Sequence, residues 1–422
     1  MKVVHSICCG LDVHAKTVVA CLIKGGEKER RTFSTMTDDL VRLKEWLIAA
    51  ECPRVGIEST GVYWRPVFNI LEDRVEVLLL NARDVKGRRG RKTDMLDSEW
   101  IAEMVQYGLV EGSFIPPANI RELRELTRYR ESLVRHRTSL ANRIQKLIES
   151  GNIKLGQVAS DVFGASGRAM LRALADGQSD AHGLASLARG SLKKKETELA
   201  RALQGQLTEA QRWVLKALLN QYEQTEIEIA EVQERLSAEV ADNADPFAPD
   251  AVALLQTVPG IGEKVAMVII AEIGLDMTRF PTAGHLASWA GLCPGNHESA
   301  GKRSSGRTTK GNPYLRTSLV QAAWAATRTR NTYLAAQYRR LVKRMGAKKA
   351  LVAVAHTMLT MVYYILKRRE PFRELGGDYF ERRNVDDQRK SLVRKLESLG
   401  FSVTIAPLLP DPTIAQASPS EA

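Results

Sequence analysis

Short apolar runs and helical stripes alternate over residues 1–117. "VVHSICCGLDV" and "KTVVACLIK" predict strands with a turn within "GLDVHAK", and "RRTFSTM" is a candidate third strand. "DDLVRLKEWLIAAE" repeats apolar residues at helical spacing, "RVGIEST" is a short strand, "YWRPVFNILED" is helical, and "VEVLLLNA" is a buried strand. Helices that follow strands predict an α/β domain. From 118 to 245 the pattern changes to long charged helices, "IRELRELTRYRESLVRHRTSLANRIQKLIES" and "QRWVLKALLNQYEQTEIEIAEVQERLSAEVA", which predict a coiled coil, antiparallel or intermolecular. "ADNADPFAPD" reads as a linker. Residues 246–375 predict a second, mainly α-helical body, and 376–422 an extension with a disordered tail.

A chain of 422 residues is too long for one small core, in keeping with several domains. The formal charge of +12 favours a polyanionic partner, because excess Lys and Arg create a field that phosphates enter. Five cysteines without paired spacing suggest neither a disulfide frame nor a structural zinc site, and fit a reducing cytoplasm. The opening "MKVVHSICCGLDVH" meets Asp12 before any long apolar run, unlike a secretion signal. "ALVAVAHTMLTMVYYIL" is short for a membrane span and carries His356, Thr357 and Thr360, so it predicts a buried core helix and no membrane partner.

Candidate chemistry starts in "RRGRKTDMLDSEWIAEM". With about 100° per residue, Asp94 and Asp97 fall in the same arc as Leu96, Trp100, Ile101, Met104 and Val105, while Glu99 and Glu103 fall on the solvent side. A helix-dipole role explains Asp94 in the first turn. A second inward carboxylate calls for a cation, since two acids in a partly dry site repel. Asp12 shares a strand face with Cys8 and Gly10, and Glu58 shares one with Gly56 at a strand end. Together these oxygen-only ligands suit Mg²⁺ or Mn²⁺. Arg83, Lys86, Arg88, Arg89, Arg91 and Lys92 precede Asp94, and would hold the strand whose phosphate must enter an acidic site.

Asp12 in "GLDVHAK", Glu58 in "IEST", and Asp94 with Asp97 in "RKTDMLDSEWIAEM" resemble the Asp-Glu-Asp-Asp site of the DEDD transposases of bacterial insertion sequences, the IS110 family. That resemblance implies an amino-terminal domain similar to the RuvC Holliday-junction resolvase, of ribonuclease-H-like fold. It also implies that the four acids bind divalent metal.

"LLQTVPGIGEKVAMVIIAEIG" places Pro259, Gly260, Ile261 and Gly262 between two helical stretches, and resembles a helix-hairpin-helix. There glycines let backbone N–H groups approach a phosphate, and Lys264 follows in the second helix. "GLCPGNHESAGKRSSGRTTKGNPYLRTSL" fails as a Walker loop, because five residues separate Gly295 from Gly301 and Arg303 follows Lys302. "SAGK" formally matches a serine-hydrolase motif whose partner motifs are missing from the chain. Lys302, Arg303 and Arg307 would stabilise an incoming phosphate; Lys310, Asn312 and Arg316 would contact nucleic acid or cap a helix, and Tyr314 and Leu315 read as core. The stretch is similar to the carboxy-terminal transposase domain of the same family, whose motif carries a serine that attacks DNA. Ser299 stands at the matching position, flanked by Glu298 and Ala300, with Ser304 and Ser305 nearby and His297 the closest histidine.

The resemblance therefore implies a recombinase of an insertion sequence, acting on donor and target DNA with a structured non-coding guide RNA, as a homodimer or tetramer. The rival readings are a resolvase or nuclease using metal and water alone, and a non-catalytic nucleic-acid binder. A resolvase has no need of Ser299.

Overall fold

The computed structural model describes residues 2–59, 61–81, 97–295, 297–299, 302–305, 307–383 and 385–405, with the backbone alone at 297–299, 302–305, 381, 383, 385–388 and 391. Two compact units are present, Met1–Pro116 and Pro117–Ala422.

The first unit is a mixed five-stranded sheet. Strands β1 (Ile7–Val13), β2 (Thr17–Lys24) and β3 (Glu27–Ser34) form an antiparallel meander, while β4 (Arg54–Glu58) joins β1 in parallel and β5 (Glu76–Leu80) joins β4 in parallel. The order across the sheet is β3-β2-β1-β4-β5. Helices α1 (Thr37–Ala49) and α2 (Trp64–Leu71) supply the crossovers that parallel pairing requires. Period-two alternation then sorts the side chains. Cys9, Leu11, Val18, Ala20, Val55 and Ile57 pack with Leu40, Leu43, Leu47 and Leu71 of α1 and α2. Cys8, Cys21, Ile23 and Leu80 meet α3 (Asp97–Gln106) on the other face.

α3 lies closer to the sheet than bulky side chains allow. A Cβ on Gly10 would stand 2.1 Å from the Ser98 carbonyl oxygen and 2.4 Å from the Ala102 nitrogen, and one on Gly56 would meet Val105 and Ile101 at 2.8 and 2.9 Å. The buried residues of α3 are Ser98, Glu99, Ile101, Ala102, Met104, Val105 and Gln106, so Ile101, Met104 and Val105 lie inside as expected while Trp100 is only half-buried. Two expectations are corrected by this. Asp97 is exposed at the helix start instead of turned into the body, and Glu99 is buried at 8% exposure instead of facing solvent. The physical reason is that β3 carries cations to meet Glu99: Lys28 Nζ donates to it at 2.6 Å, Arg30 also pairs with it, and Lys28 reaches Glu103 at 2.6 Å.

The second unit begins with two 33-residue helices, α4 (Ala118–Ser150) and α5 (Glu209–Ala241). Asn119 bonds to Asn243 at 2.7 Å at one end and Gln211 to Ser150 at 3.1 Å at the other, so the pair is antiparallel within one chain. Residues 151–208, between them, fold into short helices that cap the far end, burying Ile153, Leu155, Met170, Leu171, Leu184 and Leu199 against Leu140, Ile144, Leu215 and Tyr222. The stretch read as a linker is an ordered turn: Asp245 accepts from the Phe247 amide, and Phe247 and Ala248 are buried.

Beyond it come α6 (Ala248–Gln256), α7 (Glu263–Ile273), α8 (Ala283–Trp289), a hairpin of β6 (His297–Ser299) and β7 (Lys302–Ser305), then α9 (Pro313–Ala326), α10 (Tyr333–Met345) and α11 (Ala347–Arg368). α11 is long and apolar enough to cross a membrane by length and composition, and it is half-buried. Val354, Ala355, Met358, Leu359, Val362 and Tyr363 form its buried stripe, and the Tyr363 hydroxyl donates to the Phe280 carbonyl at 3.1 Å. It contacts α6, α8, α9 and α10, as a core helix does. The tail, residues 406–422, lies outside the described residues.

Candidate active site

Register brings the first two acids together. Leu11 of β1 pairs with Ile57 of parallel β4, so Asp12 and Glu58, the next residues, leave neighbouring strands at the same level. Adjacent strands lie about 4.8 Å apart. Gly10 and Gly56, two residues earlier on each strand, are also paired and lie under α3. Alternation therefore puts Asp12 and Glu58 on the α3 face, at the carboxyl ends of parallel strands where α/β sheets form their sites. Asp97 opens α3, whose next residue, Ser98, rests on Gly10.

The electrostatics agree with that placement. The Asp12 carboxyl is pushed above its ordinary value, first by burial, with the charges of Asp97 and Glu58 adding to the effect and His14 opposing it. His14, 62% exposed, bonds through Nε2 to Asp12 Oδ2 at 3.0 Å, while the Asp12 side chain is 23% exposed. Among the described residues no group of three or more Asp, Glu, His or Cys side chains closes on a metal position. Asp94 and the basic run Arg83, Lys86, Arg88, Arg89, Arg91 and Lys92 lie outside the described residues. The donor chemistry fits a hard divalent cation, because a cation would offset the burial of the Asp12 carboxylate and the repulsion from Asp97 and Glu58 that adds to it. The buried thiols do not compete for a catalytic role: burial pushes Cys8 up to about 12 and Cys52 up to about 11, so both are neutral core groups.

In the second unit the backbone sets Ser299 opposite Lys302, the residues flanking the tip of the β6–β7 hairpin. His297 pairs with Ser305, and Ser304 shares β7 with Lys302 and Arg303. The base is closed by the Gly295 amide, which donates to the Arg307 carbonyl at 2.8 Å, and by a bridge between Pro294 and Thr308. Arg307 and Lys310 are exposed and Arg316 is half-buried in the first turns of α9. Asn312 caps α9, accepting from the Tyr314 and Leu315 amides at 3.0 and 3.1 Å. Tyr314 is only partly buried and lies under the Arg128 guanidinium at 4.5 Å.

The glycines between α6 and α7 separate into two kinds. Gly260, at φ +88°, faces α9 so closely that a Cβ would stand 2.3 Å from the Ala322 oxygen, which explains the residue by packing. Gly262 precedes α7 with open space where a Cβ would be, and Lys264 is exposed.

Two features are not anticipated by the sequence patterns above. Glu272, wholly buried in α7, is ion-paired with Arg124 and Arg128; its signal is a lone acid in the apolar run "VIIAEIG". The other is a set of exposed cations, Arg339, Lys343, Arg344, Lys348 and Lys349, at the junction of α10 and α11. Its signal is the absence of any Asp or Glu between Glu298 and Glu370.

Known proteins place these units. A family model described as transposase matches residues 9–152, and one described as transposase of the IS116/IS110/IS902 family matches residues 252–339. The chain is similar to the transposase for insertion sequence element IS1111A of Coxiella burnetii, 25% identical over 295 residues, 68% of this chain and 69% of that protein. The pilin gene-inverting protein of Moraxella bovis is 33% identical over 137 residues, 31% of this chain and 41% of that one. The putative transposase y4rJ of Sinorhizobium fredii is 25% identical over 377 residues, 83% of this chain and 88% of it. With both family regions present in order, the chain belongs to the IS110 family of transposases and is a DNA transposase/recombinase enzyme.

Proposed function

We propose that the chain cuts and rejoins the DNA of an insertion sequence through Ser299, with Asp12, Glu58, Asp94 and Asp97 holding Mg²⁺ or Mn²⁺ in a ribonuclease-H-like first unit. The observation that supports this reading is the register that sets Asp12 and Glu58 at one level of neighbouring strands, with Asp97 near enough for its charge to act on Asp12. When bound, such ions neutralise charge on a phosphodiester and polarise it toward attack. Asp12 and Glu58 supply fixed carboxylates from rigid strands, and α3 supplies Asp97.

Ser299 Oγ gives up its proton and attacks phosphorus, forming a serine phosphodiester while the displaced sugar oxygen takes a proton. A second sugar hydroxyl then attacks the same phosphorus and releases the serine, so bond energy is conserved and no ATP is required. Lys302, Arg303 and Arg307 hold the phosphate. Gly262 and Lys264 contact a nucleic-acid backbone at the open start of α7, in the manner of a helix-hairpin-helix. The exposed cations at the α10–α11 junction extend that surface. Donor and target DNA are chosen by a structured non-coding RNA from the element, and the enzyme works in the cytoplasm as a homodimer or tetramer.

Incubation with donor and target DNA and Mg²⁺, followed by denaturing electrophoresis, tests the reading. Wild type is expected to form a DNA-linked protein band that Ser299→Ala lacks, and Asp94→Asn to lose Mg²⁺-dependent cleavage. Joining by Ser299→Ala at the wild-type level refutes the serine role, and cleavage without a linked band favours hydrolysis by metal and water. Sequencing the RNA that copurifies tests the guide: one discrete species encoded beside the gene supports it, and random cellular RNA counts against it.

A further inference from the structure

Glu272 is a fully buried carboxylate on a helix that otherwise turns Ala266, Met267, Ile269, Ile270 and Ile273 into the core. A buried charge is retained only where its partners are well placed. Arg128 grips it as a fork, Nε to Oε1 at 2.8 Å and a second guanidinium nitrogen to Oε2 at 2.9 Å. Arg124 stands 3.3 Å from Oε2 and also donates to the Ala271 and Glu272 carbonyls at the end of α7, at 3.0 and 2.6 Å. One further bond leaves this network: Asn312 Nδ2 donates to Glu272 Oε2 at 2.5 Å.

Asn312 lies just beyond the serine-bearing hairpin. Its two ends do different things, since Oδ1 caps α9 while Nδ2 is tied to Glu272. The preceding residue, Gly311, crosses the incoming strand at backbone contact, where a Cβ would stand 2.2 Å from the Gly291 nitrogen. Two residues further on, Tyr314 stacks under the same Arg128 that holds Glu272. The strands entering and leaving the hairpin thus meet at Gly291 and Gly311, and the outgoing one is fastened immediately afterwards to a buried ion-pair network anchored in α4 and α7.

We propose that Glu272 is a positioning residue: through Asn312 it fixes the base of the β6–β7 hairpin and so the aim of Ser299. The inference rests on Ser299 being the nucleophile, and the test separates the two. Asn312→Ser keeps a capping oxygen without the amide donor, and Asn312→Asp keeps the cap but sets a carboxylate against Glu272. Both leave the pairs from Arg124 and Arg128 to Glu272 in place; Asn312→Ser is expected to melt near wild type, and Asn312→Asp lower, because its carboxylate repels the buried Glu272.

Single-turnover formation of the DNA-linked species, DNA affinity, and deuterium exchange at the Gly295 amide are measured on the full chain. Linkage is expected to slow by about tenfold to a hundredfold with DNA affinity nearly unchanged, the signature of a misaimed group. Gly295, whose amide closes the hairpin base, is expected to exchange faster. Wild-type linkage rates in both variants overturn the proposal. If wild type forms no serine-linked DNA, the nucleophile reading fails instead. Exchange at Gly295 then judges the tether alone: faster exchange supports it, and unchanged protection refutes it.

Discussion

Two carboxylates of the first unit titrate in opposite senses, and each sense has a local cause. Glu99 is held below the ordinary carboxylate range, chiefly by the hydrogen bond from Lys28, with the charges of Lys28 and Arg30 assisting against burial. A lowered folded value adds stability that is complete above the ordinary value of 4.5 and is lost as pH falls through the folded one. Glu99→Gln should therefore cost about 1 kcal/mol at pH 7 and flatten the acid limb of a melting-temperature profile; an unchanged acid limb would show that the cluster contributes nothing. Asp12 is raised, so the folded chain binds a proton more readily than the unfolded one, and stability falls as pH rises from 3.8 through the folded value. Asp12→Asn is expected to stabilise the metal-free protein at pH 7 by about 0.5–1 kcal/mol while abolishing Mg²⁺-dependent cleavage. A destabilised Asp12→Asn, measured by thermal melting in chelator, would mean that His14 outweighs burial and the repulsion from Asp97 and Glu58 at that carboxyl.

At the scale of elements, the placement of α3 decides whether Asp97 reaches the other acids. Contact with Gly10 is through backbone, so Gly10→Ala has no flexible side chain to displace and must push the helix away. It should cost about 1–3 kcal/mol in denaturant unfolding and suppress cleavage, whereas Gly262→Ala, facing open space, should leave stability nearly unchanged. A Gly10→Ala protein with wild-type melting and cleavage would remove the close-packing account. The same contact explains what can be read from sequence and what cannot. Apolar runs locate β1, β2, β4 and β5, the first three buried on both faces, and helical stripes locate α1 and α2, which bury one face each. On α3 Ile101, Met104 and Val105 are legible, but Ser98 and Ala102 are missed because hydrophobicity ranks Trp100 above them, yet the closest approach to Gly10 is made by the smallest residues. Glu99 is misjudged because the cations that bury it stand on β3, far away in sequence. For α4 and α5 the helical stripe is legible, but it is identical for a partner in the same chain or in another. The shared core of Leu140, Ile144, Leu215 and Tyr222 and the bonds Asn119 to Asn243 and Gln211 to Ser150 distinguish the two.

Over the whole molecule, the excess of positive charge is unevenly answered. In the first unit Lys24, Lys28, Arg30, Arg31, Arg42, Lys44, Arg54 and Arg74 each meet a carboxylate, and on the long hairpin Arg168, Arg172 and Lys216 do the same. Among the described residues no ion pair involves a cation from Lys310 to Arg369, a stretch that contains no acid of its own. Unanswered charge of one sign on exposed side chains raises the local concentration of phosphates and binds them with counterion release. Replacing Arg339, Lys343, Arg344, Lys348 and Lys349 together by Gln should therefore weaken nucleic-acid binding at every sequence alike. It should also make the slope of log affinity against log salt shallower by about 0.9 for each duplex phosphate that is no longer neutralised. Cleavage at saturating protein should be unchanged, because these residues lie outside the acids and the hairpin proposed to do the chemistry. Fluorescence anisotropy from 50 to 300 mM salt, about the range over which such slopes are resolved, measures the effect. An unaltered slope would mean that the basic excess at the α10–α11 junction meets no phosphate, and that the chain's affinity comes from its other cations.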